Sequence, residues 1–299
     1  MTLKLFVLPG DERFGERLAA ASGAAVLAAD IRRFPDGESY LRLDDPVDGD
    51  SVAVVARLDR PDPRIPQLLF AAALLREQGA SRAGLVAPYL PYMRQDDRFR
   101  PGEAVTSATF AGWISSHFDW LLTVDPHLHR YPSLDAIYSI PSCVLTAAPR
   151  IAEWIERNVD TPVVVGPDSE SEQWVRAVAG VNDLPWRVLE KTRYGDRDVR
   201  VTGSDLESVR DRHPVIVDDI CSSGATLAEA ARVLKEAGFE SSRCAVVHGL
   251  FDDEARKRLH DAGIEAIVCS DSADVEEAVI ELAETIAPEM LRMSGVDRP

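Results

Sequence analysis

Val215-Ile-Val-Asp-Asp-Ile-Cys-Ser-Ser-Gly-Ala-Thr-Leu227 is the stretch that decides how this chain is read. Three apolar residues run into two acids, a short loop of small residues follows, and helical spacing begins at Thr226. In open α/β sheets, ligands bind beyond the C-terminal ends of such strands. A loop built from Ser222, Ser223, Gly224 and Ala225 lets backbone N–H groups approach an anion, and the N-terminus of the next helix adds positive potential there. Ser222, Ser223 and Thr226 supply hydroxyl donors. Asp218 and Asp219 repel a phosphate, but they can accept hydrogen bonds from sugar hydroxyls or hold a divalent metal. Phosphate beside a vicinal diol is the chemistry of a ribose phosphate. An ordinary capped helix after a strand uses the same residue types, so this stretch alone leaves both readings open.

Outward from it, the same alternation repeats. Pro162–Gly166, Arg187–Glu190, Val215–Val217, Arg243–Val247 and Ala266–Cys269 read as strands. Ser171–Ala179, Thr226–Ala237 and Asp252–Ala262 read as helices. In the first half, Leu3–Leu8, Ser51–Arg57, Ala83–Ala87 and Trp120–Val124 are the strand candidates. Between the second and third of these, Pro66–Gln78 carries Leu68, Leu69, Ala72 and Leu75 at helical spacing and stops at Gly79. Such alternation predicts βαβ units and a mainly parallel sheet covered by helices on both faces. At 299 residues the chain exceeds one comfortable core, and its two halves share length and rhythm. Two related α/β domains are predicted, 1–143 and 144–286, joined near Ser142–Ala148. A polar tail at 287–299 is expected either to be mobile or to pack back on the first domain.

Lys plus Arg number 33 and Asp plus Glu 50, a net charge of −17. A surface that acidic repels nucleic-acid phosphates and anionic lipid, so neither nucleic acid nor membrane is an expected partner. Any anionic substrate must be met by local clusters of cations, backbone N–H groups or metal. No apolar run reaches about 18 residues, and the N-terminal segment lacks a secretory pattern, so a cytoplasmic location is expected. Cys143, Cys221, Cys244 and Cys269 show no C-x-x-C spacing, and reduced, apolar filler is their expected role.

The ribose-phosphate stretch resembles the corresponding loop of the type I phosphoribosyltransferase-like superfamily. Other segments narrow the resemblance to the ribose-phosphate pyrophosphokinases. Phe34-Pro-Asp-Gly-Glu-Ser-Tyr40 is similar to the family's F-x-D-G-E segment, and Ala87-Pro-Tyr-Leu-Pro-Tyr-Met-Arg-Gln-Asp-Asp-Arg-Phe-Arg-Pro-Gly-Glu103 to its P-Y-x-x-Y-x-R-Q-D-x-x-F signature. Val124-Asp-Pro-His127 matches a following D-x-H, Val165-Gly-Pro-Asp168 falls at the pyrophosphate loop, and Glu190-Lys-Thr-Arg193 at the catalytic flexible loop. His248-Gly-Leu-Phe251 sits at a similar strand-end turn. The matches run in family order from about residue 5 to about residue 270.

The resemblance implies two tandem type I phosphoribosyltransferase-like domains. It also implies transfer of the β,γ-pyrophosphoryl group of ATP to O1 of ribose 5-phosphate, with AMP released. Lys191 and Arg193 would meet the transferring phosphates, and His127 and Asp168 would hold Mg²⁺. Arg94 and Gln95 would contact the adenine nucleotide. Asp36, Gly37 and Glu38, with Phe34 stacked on adenine, would complete the pocket of a neighbouring subunit, which implies a homo-oligomer, a dimer or a multiple of it. Asp218, Asp219, Ser222, Ser223, Gly224, Ala225 and Thr226 would bind ribose 5-phosphate. There are departures. Many bacterial members carry an acid where Ser222 stands; Ser222-Ser223 and Lys-Thr-Arg-Tyr-Gly are closer to archaeal members. Ala225 replaces a usual glycine, and Asp168-Ser-Glu-Ser-Glu172 puts acids where small residues normally cradle pyrophosphate. Glu170 and Glu172 are expected to turn away from the ligand, since acids suit a helix's first turn, the alternative being a second Mg²⁺ among them that inverts the local sign. Two alternatives stay open: a catalytically silent, regulatory homologue, and a phosphoribosyltransferase that consumes phosphoribosyl pyrophosphate.

Overall fold

The computed structural model of the protein describes residues 2–194, 198–203 and 206–296, with only the backbone described at 190–194 and 198–203. The chain divides into two compact units. One is formed by the chain up to Leu145 together with the segment that begins at Leu282; the other is Thr146–Glu281.

Unit 1 contains β1 (Leu3–Val7), α1 (Glu12–Ser22), β2 (Ala25–Val26), β3 (Ala29–Arg33), β4 (Ser39–Leu43), β5 (Ser51–Val55), α2 (Ile65–Glu77), β6 (Arg82–Val86), α3 (Thr106–His117), β7 (Trp120–Val124) and β8 (Ser142–Leu145). Its sheet has the order β2-β1-β5-β6-β7-β8 and is parallel throughout. β5 and β7 are buried at every position, as expected of strands covered on both faces. Gly84 on β6 is required there: a Cβ would lie 1.8 Å from the indole of the fully buried Trp120. β3 and β4 form a separate antiparallel hairpin.

Unit 2 continues with α4 (Ala148–Asn158), β9 (Pro162–Gly166), α5 (Glu172–Val181), β10 (Trp186–Tyr194), β11 (Asp198–Gly203), β12 (His213–Cys221), α6 (Ala225–Glu236), β13 (Ser242–Gly249), α7 (Asp253–Asp261), β14 (Ile264–Ser270) and β15 (Ala278–Ile280). The sheet order is β11-β10-β9-β12-β13-β14-β15, parallel except for the antiparallel β10–β11 pair. The chain ends in α8 (Ala283–Ser294).

Several boundaries differ from the sequence expectation. β12, expected over Val215–Val217, runs on through both acids to Cys221 because β13 pairs with it there. The charged stretch after Glu190, expected to be a loop, continues β10 to Tyr194 and pairs with β11, because a partner strand supplies the ladder that residue composition does not announce. Residue 252 is not helical: Asp252 caps α7 by accepting the Ala255 N–H at 2.9 Å. The second unit closes at Glu281 instead of 286, and α8 belongs to unit 1, where Ile286, Met290 and Met293 are buried on one helical face. All four cysteines are free, and three are buried; burial pushes the thiols of Cys221, Cys244 and Cys269 up.

Candidate active site

In unit 2 the central strand β12 stays buried through Val217 and then delivers Asp218 and Asp219 to its C-terminal end. The Asp219 N–H donates to Asp218 Oδ1 at 3.0 Å, so the pair is folded tightly on itself. Burial first, and then the charges of Asp219 and Asp168, push the Asp218 carboxyl up to about 8. Ser222 and Ser223 lead to Gly224, whose φ of +69° is the left-handed conformation that favours glycine. A Cβ there would also lie 3.1 Å from Leu259. This turn lets α6 start abruptly at Ala225, with the first helical hydrogen bond from Ala228 N–H to the Gly224 carbonyl at 2.9 Å. Ser223 Oγ accepts the Ala225 N–H at 3.4 Å, and Arg258 donates to the Ser223 carbonyl. Ser223, Ala225 and Thr226 are exposed, so small side chains and the positive helix end face solvent together.

One strand over, β9 ends at Gly166 and Asp168 caps the turn that opens α5. Asp168 Oδ1 accepts the N–H groups of Glu170 (3.0 Å) and Ser171 (3.3 Å), while Ser171 Oγ returns to the Asp168 carbonyl at 2.6 Å. This capping box occupies Oδ1 and does not use Oδ2. Glu170 is exposed, and Glu172 pairs with Arg176 at 2.6 Å along α5. Glu172 is thus neutralised by the next turn of its own helix. Lys191 and Arg193 lie on β10, opposite Val201 and Val199 of β11; their side chains are outside those described.

In unit 1 the loops after β6 and β7 lie side by side, with the Val124 N–H on the Pro88 carbonyl at 3.1 Å. The first loop carries Arg94 and Gln95; Gln95 Oε1 accepts from Thr106 at 3.3 Å, and its carbonyl from Ser107 at 3.2 Å. The second turns at Asp125 (φ +35°) and carries His127, whose ring lies 6.1 Å from that of His129. His127 belongs to unit 1 and Asp168 to unit 2. Phe34, Asp36, Gly37 and Glu38 form the exposed tip of the β3–β4 hairpin: the Phe34 N–H donates to the Glu38 carbonyl at 2.8 Å, and Gly37 has a φ of +95°. The Phe34 ring is 40% exposed, with Arg32 5.3 Å from its centroid, so it is not a core side chain.

Two constellations escaped the sequence. Asp11, fully buried after β1, accepts Arg57 N–H at 3.0 Å and Arg57 Nε at 2.7 Å, and pairs with Arg64. Asp96 is buried against Arg130 at 3.0 Å. Their partners stand far apart in the chain, and of these residues only Asp96 lies within a recognisable motif, 87–103.

Comparisons with known proteins identify the family. Residues 3–117 match the family model described as the N-terminal domain of ribose phosphate pyrophosphokinase, and residues 133–285 match the phosphoribosyl transferase domain. A ribose-phosphate pyrophosphokinase of Methanobrevibacter smithii is 33% identical over 86% of this chain and 90% of its own length. The enzyme of that name from Methanosarcina acetivorans is 30% identical over 97% of this chain and all of its own. Among solved structures, phosphoribosylpyrophosphate synthetase from Mycobacterium smegmatis superimposes with a TM-score of 0.83 at 24% identity, covering 97% of this chain and 98% of that one.

Proposed function

Since the chain belongs to the ribose-phosphate pyrophosphokinase family, we propose that it transfers the β,γ-pyrophosphoryl group of ATP to ribose 5-phosphate. O1 of the sugar attacks the β-phosphorus, the bond between that phosphorus and the α-bridging oxygen breaks, AMP leaves, and the hydroxyl proton passes to solvent. The products are AMP and phosphoribosyl pyrophosphate. The observation that carries the reading is the end of β12: two acids for the ribose hydroxyls, followed by a left-handed glycine that opens α6 with its positive end beside exposed hydroxyls. Asp218 and Asp219 orient the sugar, while Ser222, Ser223, Gly224, Ala225 and Thr226 hold its 5-phosphate. Such transfers depend on positioning and charge neutralisation. Lys191 and Arg193 neutralise the transferring phosphates, and Arg94 and Gln95 hold the nucleotide.

Among the described residues, no three His, Cys, Asp or Glu side chains converge as a metal cage. Mg²⁺ suits one or two protein groups completed by phosphate oxygens and water, and the Asp168 Oδ2 left over by its capping role fits that donor chemistry. His127 and Asp168 would hold it, and when bound it would supply positive charge to the ATP phosphates. The exposed hairpin tip of Phe34, Asp36, Gly37 and Glu38 completes a neighbouring chain's nucleotide pocket, so the working form is a homo-oligomer, a dimer or a multiple of it. Among the described residues no helix is long and apolar enough to cross a membrane, which suits a cytoplasmic enzyme. The test is to incubate the purified protein with ATP, Mg²⁺ and ribose 5-phosphate and to separate the nucleotides. AMP formed only with the sugar present is expected; ADP, or no nucleotide product, overturns the reading.

A further inference from the structure

A buried carboxylate joins two loops of unit 1. Asp96 follows Gln95 directly; its side chain is 3% exposed, and Oδ1 takes a 3.0 Å ion-paired hydrogen bond from Arg130. Oδ2 is equally buried and, among the described residues, has no hydrogen-bond partner. The neighbouring Tyr131 hydroxyl lies 3.2 Å from the Asp96 carbonyl and 3.0 Å from Ser107 Oγ, which in turn lies 3.2 Å from the Gln95 carbonyl. Residues 130–131 therefore grip residues 95–96 through both side chain and backbone. Arg94 stands just before the gripped segment, and His127 three residues before Arg130.

A carboxylate buried with one cation and one unserved oxygen is an expensive way to join two loops; apolar residues of similar volume would pack at least as stably. What an ion pair adds is a fixed register. We infer that Asp96, Arg130 and Tyr131 are positioning residues that hold the Arg94–Gln95 segment and the His127 segment in one arrangement, and so set the affinity for ATP. The inference rests on the proposed function, because it takes Arg94 and Gln95 as nucleotide contacts.

The test compares ATP binding by titration calorimetry with steady-state kinetics in Arg130→Ala, Arg130→Lys, Tyr131→Phe, Asp96→Asn and the Asp96→Asn/Arg130→Ala double variant, with melting curves confirming the fold. Arg130→Ala should weaken ATP binding and raise its KM about tenfold, with kcat and the KM for ribose 5-phosphate within about twofold of wild type. Arg130→Lys should recover most of the loss, and Tyr131→Phe should cost about threefold. The double variant should be no weaker than its weaker parent, since the Asp96–Arg130 pair is already broken in either one. Arg130 also approaches Asp97 at 3.8 Å and the Phe99 ring at 5.0 Å, contacts that Arg130→Ala removes as well. Unchanged ATP affinity in a folded Arg130→Ala protein overturns the inference, as does a collapse of kcat at unchanged affinity, or no rescue by lysine. A wild-type protein that binds ATP but releases no AMP overturns only the proposed reaction, and the affinities still decide the lock. A wild-type protein that binds no ATP overturns both.

Discussion

The two units run the same course and finish it oppositely. In unit 1, β1 lies beside β5; in unit 2, β9 lies beside β12, and each pair continues into three further strands. An aspartate follows the first strand of each pair: Asp11 after β1 and Asp168 after β9. Across from Asp11, Arg57 follows β5 by two residues and donates its N–H and its Nε–H to that carboxylate, and Arg64 joins them. Across from Asp168, β12 carries Asp218 and Asp219 near its C-terminal end, and burial first, then the neighbouring charges of Asp219 and Asp168, push the Asp218 carboxyl up to about 8. One set of strand ends is neutralised by its own side chains. The other gathers acids, and burial with their charges raises the Asp218 carboxyl. The difference teaches that a shared fold does not set the charge at its strand ends; the side chains delivered there do.

If that contrast is right, the largest effect should come from removing cations that serve unit 2. Lys191→Ala and Arg193→Ala should each lower kcat by about a hundredfold to a thousandfold while leaving ribose 5-phosphate affinity little changed, because their charge matters where phosphate charge develops. The measurement is kcat beside an equilibrium dissociation constant for the sugar phosphate. Near-wild-type turnover in both variants would remove β10 from the chemistry.

The next effects should carry opposite signs in the two units. Asp11→Asn leaves Arg57 buried without its anion and should destabilise the protein by about 3–5 kcal/mol in denaturant titration, with unit 1 unfolding first. Asp218→Asn removes a mutually repelling acid and should instead stabilise unit 2 while abolishing most activity. The sign follows from linkage. Asp218 in the folded protein keeps its proton up to about 8, whereas the unfolded chain releases it in the ordinary carboxylate range. Stability from this group is therefore full at low pH and is lost as pH rises toward 8, and the Asn variant should gain on wild type by on the order of 1–3 kcal/mol above that pH and by little near pH 4. The same sign for both substitutions would dissolve the comparison.

The unit 2 side of the contrast was legible in the sequence, and the unit 1 side was not, for a physical reason. Residues 215–227 announce themselves locally: an apolar run, acids that end it, and a glycine that turns into a helix all fall within thirteen positions. Asp11 meets Arg57 and Arg64 across 46 and 53 residues, and each of the three alone is an ordinary loop residue. Asp96 and Arg130 are 34 apart. The strand after Glu190 was hidden by its charge, since only pairing with β11 makes those residues a strand. α8 could have been found: Ile286, Met290 and Met293 recur at helical spacing, but the polar residues around them read as a tail.

The smallest effect expected is the one that simple charge counting makes large. Asp168-Ser-Glu-Ser-Glu172 brings three carboxylates to the strand end of unit 2, and at an effective dielectric of about 20 each would cost a phosphate about 6 Å away on the order of 2–3 kcal/mol before screening. The structure distributes those charges differently. Asp168 spends Oδ1 on the N–H groups of Glu170 and Ser171, and Glu172 is paired with Arg176 one turn along α5. Glu170 stands exposed, where solvent screens it. Acids at these positions also complement the N-terminus of α5. Glu170→Gln with Glu172→Gln should therefore leave the Mg²⁺ concentration for half activity unchanged and alter the KM for ATP by no more than about twofold. A fall of tenfold or more in that KM would mean the acids do repel the nucleotide. A sharp rise in the Mg²⁺ requirement would mean that they hold metal, and the outward orientation read from Arg176 would be wrong in the working enzyme.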